Sequence, residues 1–337
     1  KEGILTRSIP DIVNSDLFKF SPFKALNTDQ AVAIEGVLDK LFEEFESGSS
    51  EPLVIQGDPG TGKTIVAVYL MKLLVDIANS RPNEELDSDS MFAEYFNEEN
   101  QQLLSALKLG IVIPQQSLRK SVQKVFKRTP GLHKDMVLSP FDLGDSDDQY
   151  DLLIVDEAHR LGQRSNQPSA ALNAKFTRIN NALFGNDDLH WSQLDWIKSK
   201  SKLQLFLLDS AQSVKPADLP ETVVNKLVIE SRESHSFFHL ASQMRVAGGD
   251  DYIEYIGRVF AGTQETKKTF GEYELRMFDS IREMEQAIRD RDAVVGLSRM
   301  VAGFAWPWIS KNDSNLKDIE IDGLGLTWNR TAVDWIN

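Results

Sequence analysis

Residues 53–64 read Leu-Val-Ile-Gln-Gly-Asp-Pro-Gly-Thr-Gly-Lys-Thr and contain the most informative motif of the chain. The last eight residues of this stretch fit the pattern G-x-x-x-x-G-K-[ST]. The pattern follows a short apolar segment, Pro52–Gln56, and precedes an apolar helix that we predict to run through Leu74. Glycines allow backbone N–H groups to curl around a phosphate chain, whose negative charge then lies at a helix N-terminus. The stretch therefore predicts a strand, a phosphate-binding loop and a helix.

The loop carries specific chemical roles. Lys63 is expected to reach the β- and γ-phosphates of a nucleotide, and the Thr64 hydroxyl to bind Mg²⁺. We predict that the whole loop binds nucleotide: Gly57, Asp58, Pro59, Gly60, Thr61, Gly62, Lys63 and Thr64.

A second apolar segment ends in two carboxylates, in the sequence Leu152-Leu153-Ile154-Val155-Asp156-Glu157-Ala158-His159. The carboxyl end of a parallel strand is the edge where such sheets bind ligands. We predict that Asp156 holds Mg²⁺ through water and that Glu157 orients and deprotonates the attacking water. Acidic pairs at strand ends are also common without a catalytic role, but a phosphate loop about 90 residues upstream favours the catalytic interpretation.

Two glutamines are candidates for contacts with the nucleotide. Gln212 follows a third apolar segment, Leu205–Leu208, and is predicted to contact the γ-phosphate. Gln30 is predicted to lie on the adenine edge, although its position fits a helix cap equally well. The guanine-selecting pattern N-K-x-D is broken at residues 225–228, which read Asn-Lys-Leu-Val, and this favours ATP over GTP.

Alternating strands and helices predict an α/β fold with a doubly wound parallel sheet. Apolar periodicity predicts a helix from Thr28 to a stop at Gly48, and the polar residues 80–101 predict an exposed insertion. The remaining predicted elements are helices at 117–128, 252–260 and 281–288 and strands at 110–114, 203–208 and 293–297.

Charge and composition exclude several classes of protein. The 51 acidic and 37 basic residues give a net charge of −14, which argues against non-specific coating of nucleic acid but not against a local basic groove. The chain has no cysteine, which excludes disulfide scaffolds and thiolate metal sites, and no apolar run long enough for a membrane helix. We expect a cytoplasmic protein without a membrane partner. A basic segment gives the predicted nucleic-acid contacts, although a solvated helix face is an equal alternative: Gln115, Ser117, Arg119, Lys120 and Lys124.

Together these motifs resemble superfamily-1 helicases, and more closely the Schlafen group 3-like DNA/RNA helicase domain. The resemblance covers roughly residues 26–337. It rests on Leu26–Gln30, Gly57–Thr64, Ile111–Gln116, Asp156–His159, Asp209–Gln212, Leu240–Arg245, Asp251–Ile253 and the segment from Trp306 to Trp328.

The resemblance implies two RecA-like lobes with ATP between them and single-stranded nucleic acid across the top. It implies a first ATPase lobe at 26–265, after a leader or linker at 1–25. Residues 266–337 would form the first part of an incomplete second lobe. Arg245 would reach the γ-phosphate with its planar guanidinium, unless it pairs with a nearby aspartate at a helix start.

The sequence favours an ATP hydrolase that couples Mg²⁺-dependent ATP hydrolysis to single-stranded DNA or RNA. The alternative is a nucleotide-controlled switch that regulates an attached or partner effector, such as a nuclease, without translocation. A P-loop phosphotransferase that acts on a small molecule is a third possibility.

Overall fold

The structure is a computed structural model. It describes residues 15–328 apart from positions 49, 81–90, 168, 210–215, 243–248, 264–265, 267, 272, 297, 304 and 314. The chain forms two compact units. The larger is Asp16–Ile253, and the smaller includes the described part of Glu254–Asn337. This division falls earlier in the chain than the predicted domain boundary at 265, and the assignment of the second unit to a second RecA-like lobe stays a prediction.

The larger unit alternates helices and strands. Its strands are β1 (Leu53–Gly57), β2 (Leu109–Val112), β3 (Val137–Leu138), β4 (Tyr150–Val155), β5 (Ser201–Leu208) and β6 (Phe237–Leu240). Its helices are α1 (Asp16–Lys19), α2 (Thr28–Ser47), α3 (Lys63–Ala78), α4 (Glu98–Ser105), α5 (Gln116–Phe126), α6 (Pro140–Asp145), α7 (Ala170–Phe184), α8 (Gln193–Lys200) and α9 (Glu221–Glu233). Helix α10 (Gly249–Phe260) continues from this unit into the smaller one.

The six strands form one sheet in the order β3-β2-β4-β5-β1-β6, and every pair is parallel. Strand β5 therefore lies between β1, which leads into the phosphate loop, and β4, which ends at the acidic pair. Because parallel strands present their carboxyl ends at one edge, the three strand ends meet there. The predicted α/β fold with a parallel sheet is confirmed.

Both faces of the sheet are covered. Along β1, Leu53 and Ile55 belong to one apolar core and Val54 to the other, and β4 and β5 alternate in the same way. This period of two is what a strand buried on both faces requires. Helices α2 to α5 contribute to the first core, and α6, α8 and α9 to the second. The sheet is therefore doubly wound, as predicted.

Helix α2 begins as the sequence predicts. The Asn27 side chain accepts a hydrogen bond from the Gln30 backbone, and the Gln30 side chain accepts one from the Asn27 backbone, which makes a capping box. The helix ends at Gly48, whose φ of 69° is the left-handed conformation that favours glycine. On the inner face of the helix, four side chains are fully buried and fix it to the core: Ile34, Val37, Leu38 and Leu41.

Part of the predicted exposed insertion is wrong. Residues 81–90 lie outside the described residues, but Phe92 and Tyr95 are each 7% exposed, and the Tyr95 ring stacks on Phe42 with centroids 5.9 Å apart. Helix α4 follows and packs on α3. Among the described residues of this segment, Glu94, Glu98 and Glu99 are exposed, while Phe92 and Tyr95 anchor it to the core.

The polar stretch between β4 and β5 contains two helices, α7 and α8, that the sequence analysis did not predict. Phe176 and Trp196 are fully buried, with ring centroids 4.3 Å apart. Arg164 closes the loop before α8 by donating two hydrogen bonds of 2.7 Å to the Asp187 carboxylate. The bonds from Arg164, together with those from Thr177 and Asn180, lower the pKa of Asp187 to about 2.

The smaller unit contains α11 (Ile281–Val295) and an antiparallel hairpin of β7 (Ile319–Ile321) and β8 (Leu324–Leu326). The strand predicted at 293–297 is wrong for its first four residues, because α11 continues through Val295 and Gly296 is its C-cap; Leu297 lies outside the described residues. Buried Asp318 accepts hydrogen bonds from Ser310 and from the Trp328 backbone, and it thereby fixes the hairpin. Among the described residues, no helix combines the length and the apolar character needed to span a membrane.

Candidate active site

The phosphate loop connects β1 to α3 in the conformation that its glycines allow. Gly60 and Gly62 have φ values of 97° and 88°, and Gly62 caps the N-terminus of α3. The Thr61 hydroxyl donates to the Asp58 carbonyl at 2.9 Å, which closes the turn. The loop thus leaves the first N–H groups of α3 at its inner side, where an anion is favoured.

Lys63 is buried at the centre of this loop. Its Nζ donates to the carbonyls of Gly57 at 2.7 Å and Asp58 at 3.0 Å, and to Asp209 Oδ2 at 3.2 Å. The last contact is a buried ion pair between the phosphate loop and the end of β5. An ammonium group with these three acceptors is held inside the loop, where a phosphate chain would take their place.

Thr64 and Asp156 are brought together, as the sequence predicts for two magnesium ligands. The Thr64 hydroxyl donates to Asp156 Oδ2 at 2.6 Å, and Asp156 is fully buried at the end of β4. Burial raises the pKa of Asp156 to about 6, and the nearby Glu157 charge adds to the rise against the opposing hydrogen bond from Thr64.

Glu157 follows directly in an uncommon backbone conformation, with φ 53° and ψ 42°. Its Oε2 atom lies 3.0 Å from Arg160 Nε and 3.3 Å from His159 Nε2. Burial alone would raise the pKa of Glu157, but the bonds from His159 and Arg160 outweigh it and lower the pKa to about 2. The side chain is therefore an ionised acceptor at neutral pH.

His159 connects this glutamate to β5. The backbone N–H of Asp209 points at His159 Nδ1 over 3.4 Å, so Nδ1 acts as an acceptor and Nε2 carries the proton that faces Glu157. Lys63, Asp209, His159 and Glu157 thus form a continuous chain of polar contacts across three strand ends.

Gln30 lies under the phosphate loop. Its side-chain Oε1 accepts from the Asn27 backbone, and its Nε2 donates to the Thr61 carbonyl at 3.0 Å. Only 2% of the residue is exposed. The capping interpretation is confirmed, and contact with adenine stays a prediction.

The predicted nucleic-acid residues lie along α5, from its N-cap Gln115 to Lys124 in its last turn, and the helix begins just beyond the carboxyl end of β2. Gln115, Lys120 and Lys124 are exposed and Ser117 is partly so. Lys124 lies 3.3 Å from the Asp16 carboxylate in a largely exposed pair. These side chains share one solvent-facing surface.

Arg119 differs from its neighbours on α5. Its guanidinium Nη1 donates to the carbonyls of Ile113 at 2.8 Å and Pro114 at 3.2 Å, and burial lowers its pKa. This side chain fixes the chain between β2 and α5. A direct contact of Arg119 with nucleic acid stays a prediction.

Gln212 and Arg245 lie outside the described residues, so their predicted roles stay predictions. The structure adds three residues that the sequence analysis did not place in the site: Asp209, His159 and Arg160. Arg160 and His159 lie within three residues of Glu157, and this closeness in sequence was the available signal for them. The contacts of Asp209 with Lys63 and His159 join separate segments, so no local pattern encodes them.

A parallel sheet that gathers a phosphate loop, a buried aspartate and an adjacent glutamate at one edge defines a P-loop NTPase with a RecA-like fold. Residues 50–337 match the family described as Schlafen group 3, DNA/RNA helicase domain. The chain belongs to that family.

Two curated relatives share a shorter region. Replication factor C small subunit 2 of Pyrobaculum islandicum is 28% identical over 153 residues, which cover 45% of this chain and 37% of that protein. Small subunit 1 of the same organism is also 28% identical over 153 residues and is covered to 36%. The match therefore spans little more than a third of the relatives' length.

Several solved structures show a distant likeness. Pif1 helicase from Candida albicans has a TM-score of 0.31 at 13% identity, over 81% of this chain and 56% of that one. AMPPCP-bound DnaA from Aquifex aeolicus has a TM-score of 0.28 at 15% identity, over 81% and 64%. Bacteroides Pif1 bound to ssDNA has a TM-score of 0.29 at 8% identity, over 76% and 56%.

Proposed function

We propose that this protein couples the hydrolysis of Mg²⁺·ATP to movement along single-stranded DNA or RNA. One observation carries the proposal: Lys63, Thr64, Asp156, Glu157 and Asp209 meet at the carboxyl ends of three neighbouring strands. Membership of a DNA/RNA helicase family supports the choice of nucleic acid as the partner.

The residues present fit a magnesium ion. Thr64 Oγ1 and Asp156 Oδ2 are hard oxygen donors 2.6 Å apart, and the buried Asp156 carboxylate has an environment that a divalent cation would stabilise. Among the described residues no group of three or more His, Asp or Glu side chains forms a metal cage. Thr64 and Asp156 would hold Mg²⁺, which when bound neutralises charge on the phosphates.

The other side chains have separate tasks. Lys63 exchanges its carbonyl acceptors in the loop for phosphate oxygens. Glu157 accepts the proton of the attacking water, while His159 and Arg160 hold its carboxylate. Gln212 and Arg245 would contact the γ-phosphate, where a guanidinium fork stabilises the charge that develops on the equatorial oxygens.

The exposed basic surface of α5 is the proposed contact with the phosphate backbone. Lys120, Lys127 and Arg128 are exposed, and the largely exposed pair between Lys124 and Asp16 is worth little in water. A phosphate could therefore replace Asp16 at low cost. Arg119 acts here by holding the start of the helix in position.

The test measures ATPase rate with single-stranded and duplex DNA and RNA at two salt concentrations. We expect single strands to stimulate turnover, more strongly at low salt. Lys63→Ala should abolish turnover, because the phosphates lose their cation. A folded Lys63→Ala protein that hydrolyses ATP at the parental rate would contradict the proposed site. Turnover that no nucleic acid changes would favour a switch that regulates an effector.

A further inference from the structure

We propose that Phe18 and Phe23 form a stacking platform for the bases of a single strand, beside the exposed basic surface of α5. The inference rests on the proposed function and deepens it, because it adds contacts with bases to the phosphate contacts proposed for Lys120 and Lys124. Both rings lie in residues 16–26, which consist of α1 and its connection to α2.

This segment exposes two aromatic rings while its other apolar residues hold it on the protein. Leu17, Phe20 and Leu26 pack against the first apolar core. Phe18 is 44% exposed and Phe23 is 70% exposed. Because each exposed ring lies between two anchored residues, the backbone that carries it is held in place. Such a ring loses little conformational entropy when a flat partner stacks on it.

Each of the two rings has a lysine ammonium group over it. Lys24 Nζ lies 5.0 Å from the centroid of the Phe18 ring. Lys72 Nζ, which belongs to α3, lies 5.8 Å from the centroid of the Phe23 ring. A nucleotide presents a flat base together with a negatively charged phosphate, and proteins that bind single strands combine aromatic rings with basic groups for this reason. Each ring with its lysine therefore matches the two parts of one nucleotide.

The platform borders the basic surface of α5 and is separate from the phosphate loop. Helix α1 packs on α5, and the Asp16 carboxylate of α1 lies 3.3 Å from Lys124 Nζ. Lys72 follows Lys63 by nine residues in α3. That separation corresponds to about 14 Å along the helix axis. A strand on the platform would therefore leave the nucleotide site open.

The local charge selects the kind of partner. Residues 16–26 and 116–128 together contain seven basic residues and one acidic residue, Asp16, whereas the whole chain has a net charge of −14. Such an excess of positive charge in an acidic chain favours a polyanion, and it disfavours a purely apolar protein surface.

An ordinary alternative exists, because single exposed phenylalanines are common on protein surfaces and need no partner. The pairing of both rings with lysines, next to a basic helix, favours the platform. The two interpretations differ in one measurable property. A platform distinguishes a strand that has bases from a strand that has none.

The experiment uses strands that differ in their bases. Fluorescence anisotropy measures the Kd of the full chain for labelled oligo(dT), oligo(U) and an abasic phosphodiester strand of the same length. The double variant Phe18→Ala/Phe23→Ala should raise the Kd for oligo(dT) and oligo(U) at least about 10-fold, since each stacked base contributes roughly 5-fold or more. Its Kd for the abasic strand should stay within about two-fold of the parental value, because the phosphate contacts are intact.

Matched variants separate stacking from apolar contact and from stability. Phe18→Leu/Phe23→Leu keeps the apolar side chains without the aromatic faces and should bind oligo(dT) as weakly as the alanine variant. Phe18→Trp/Phe23→Trp should bind it at least as tightly as the parent. Leu189→Ala removes a side chain that is 70% exposed between α7 and α8, and it should change none of the three Kd values.

Parental affinity for oligo(dT) in the alanine variant, or full restoration by leucine, would overturn the platform, because the aromatic faces would then contribute nothing. An equal loss of affinity for the abasic strand would overturn it as well, since the rings would then act only through the basic surface. These outcomes leave the proposed function standing. If the parent binds no strand and no strand changes its ATPase rate, the proposed function itself fails.

Discussion

Glu157, the proposed catalytic base, has a backbone conformation that only glycine adopts at little cost, and substitutions can separate the side chain from the backbone. Its φ of 53° and ψ of 42° lie in the left-handed region. Glu157→Gly and Glu157→Ala both remove the carboxylate and its bonds to His159 and Arg160. The difference between these two variants therefore isolates the backbone.

Two opposing contributions set the expected difference in stability between Glu157→Gly and Glu157→Ala. A left-handed conformation costs a residue with a Cβ about 1–2 kcal/mol, which Glu157→Gly recovers. Glycine in turn makes the unfolded chain more flexible, which costs about 0.4–1 kcal/mol. Glu157→Gly should therefore be more stable than Glu157→Ala by about 0.5–1 kcal/mol. For a unit of the size of Asp16–Ile253 this corresponds to a Tm difference of about 1–4 °C.

Urea unfolding and thermal melting of the two variants measure the stability term, and ATP binding and turnover measure the chemistry. Both variants, and Glu157→Gln, should bind ATP but hydrolyse it at least about 10²-fold more slowly than the parent. An alanine variant as stable as the glycine variant would refute the backbone argument. Near-parental turnover in Glu157→Gly would refute the role of Glu157 as the base.

Three other perturbations test separate parts of the structure. Charge reversal of Lys120 and Lys124 to Glu should weaken binding to all single strands and flatten its salt dependence, measured by fluorescence anisotropy; an unchanged salt slope would leave α5 as a solvated face. Folding lowers the pKa of Asp187 from its ordinary 3.8 to about 2, so the ionised carboxylate stabilises the folded state at pH values above 3.8. Asp187→Asn should therefore lower the free energy of unfolding by about 2 kcal/mol at pH 6. That loss should vanish as the pH falls towards 2, and a loss independent of pH would exclude the ion pair with Arg164 as its source. Gly57→Ala should destabilise the protein by about 1–3 kcal/mol and impair ATP binding, because the new Cβ would lie 2.6 Å from Thr61 Oγ1; parental affinity for ATP would contradict this geometry.

The central strands and the phosphate loop were predictable because their chemistry is local. The pattern that ends at Thr64 needs its glycines and lysine at fixed spacing, and the strand before Asp156 is apolar on both faces. The capped start of α2 was predictable for the same reason, since the Asn27 and Gln30 side chains bond within one helical turn.

The elements that the sequence did not reveal depend on tertiary contacts. In α7, Phe176 and Ile179 carry a helical spacing, but polar neighbours hide it until Trp196 packs against Phe176. The apolar run before Leu297 resembles a strand, yet α11 continues through it to Val295. The pairing of Lys63 with Asp209 joins the start of α3, which follows β1, to the residue after β5, so only the neighbouring positions of β1 and β5 in the sheet bring them together.

The two ends of the six-stranded sheet have a consequence for how this protein behaves in concentrated solution. Open sheet edges invite strand addition by other chains and can seed aggregation. Here one edge is β3, only two residues long, and the other is β6, four residues long. Helix α2 packs on β6 so tightly that a Cβ atom added to Gly36 would lie 2.6 Å from the Phe238 ring. A larger residue at position 36 would force the Phe238 ring or the helix to shift, so Gly36 allows α2 to pack closely against this edge strand.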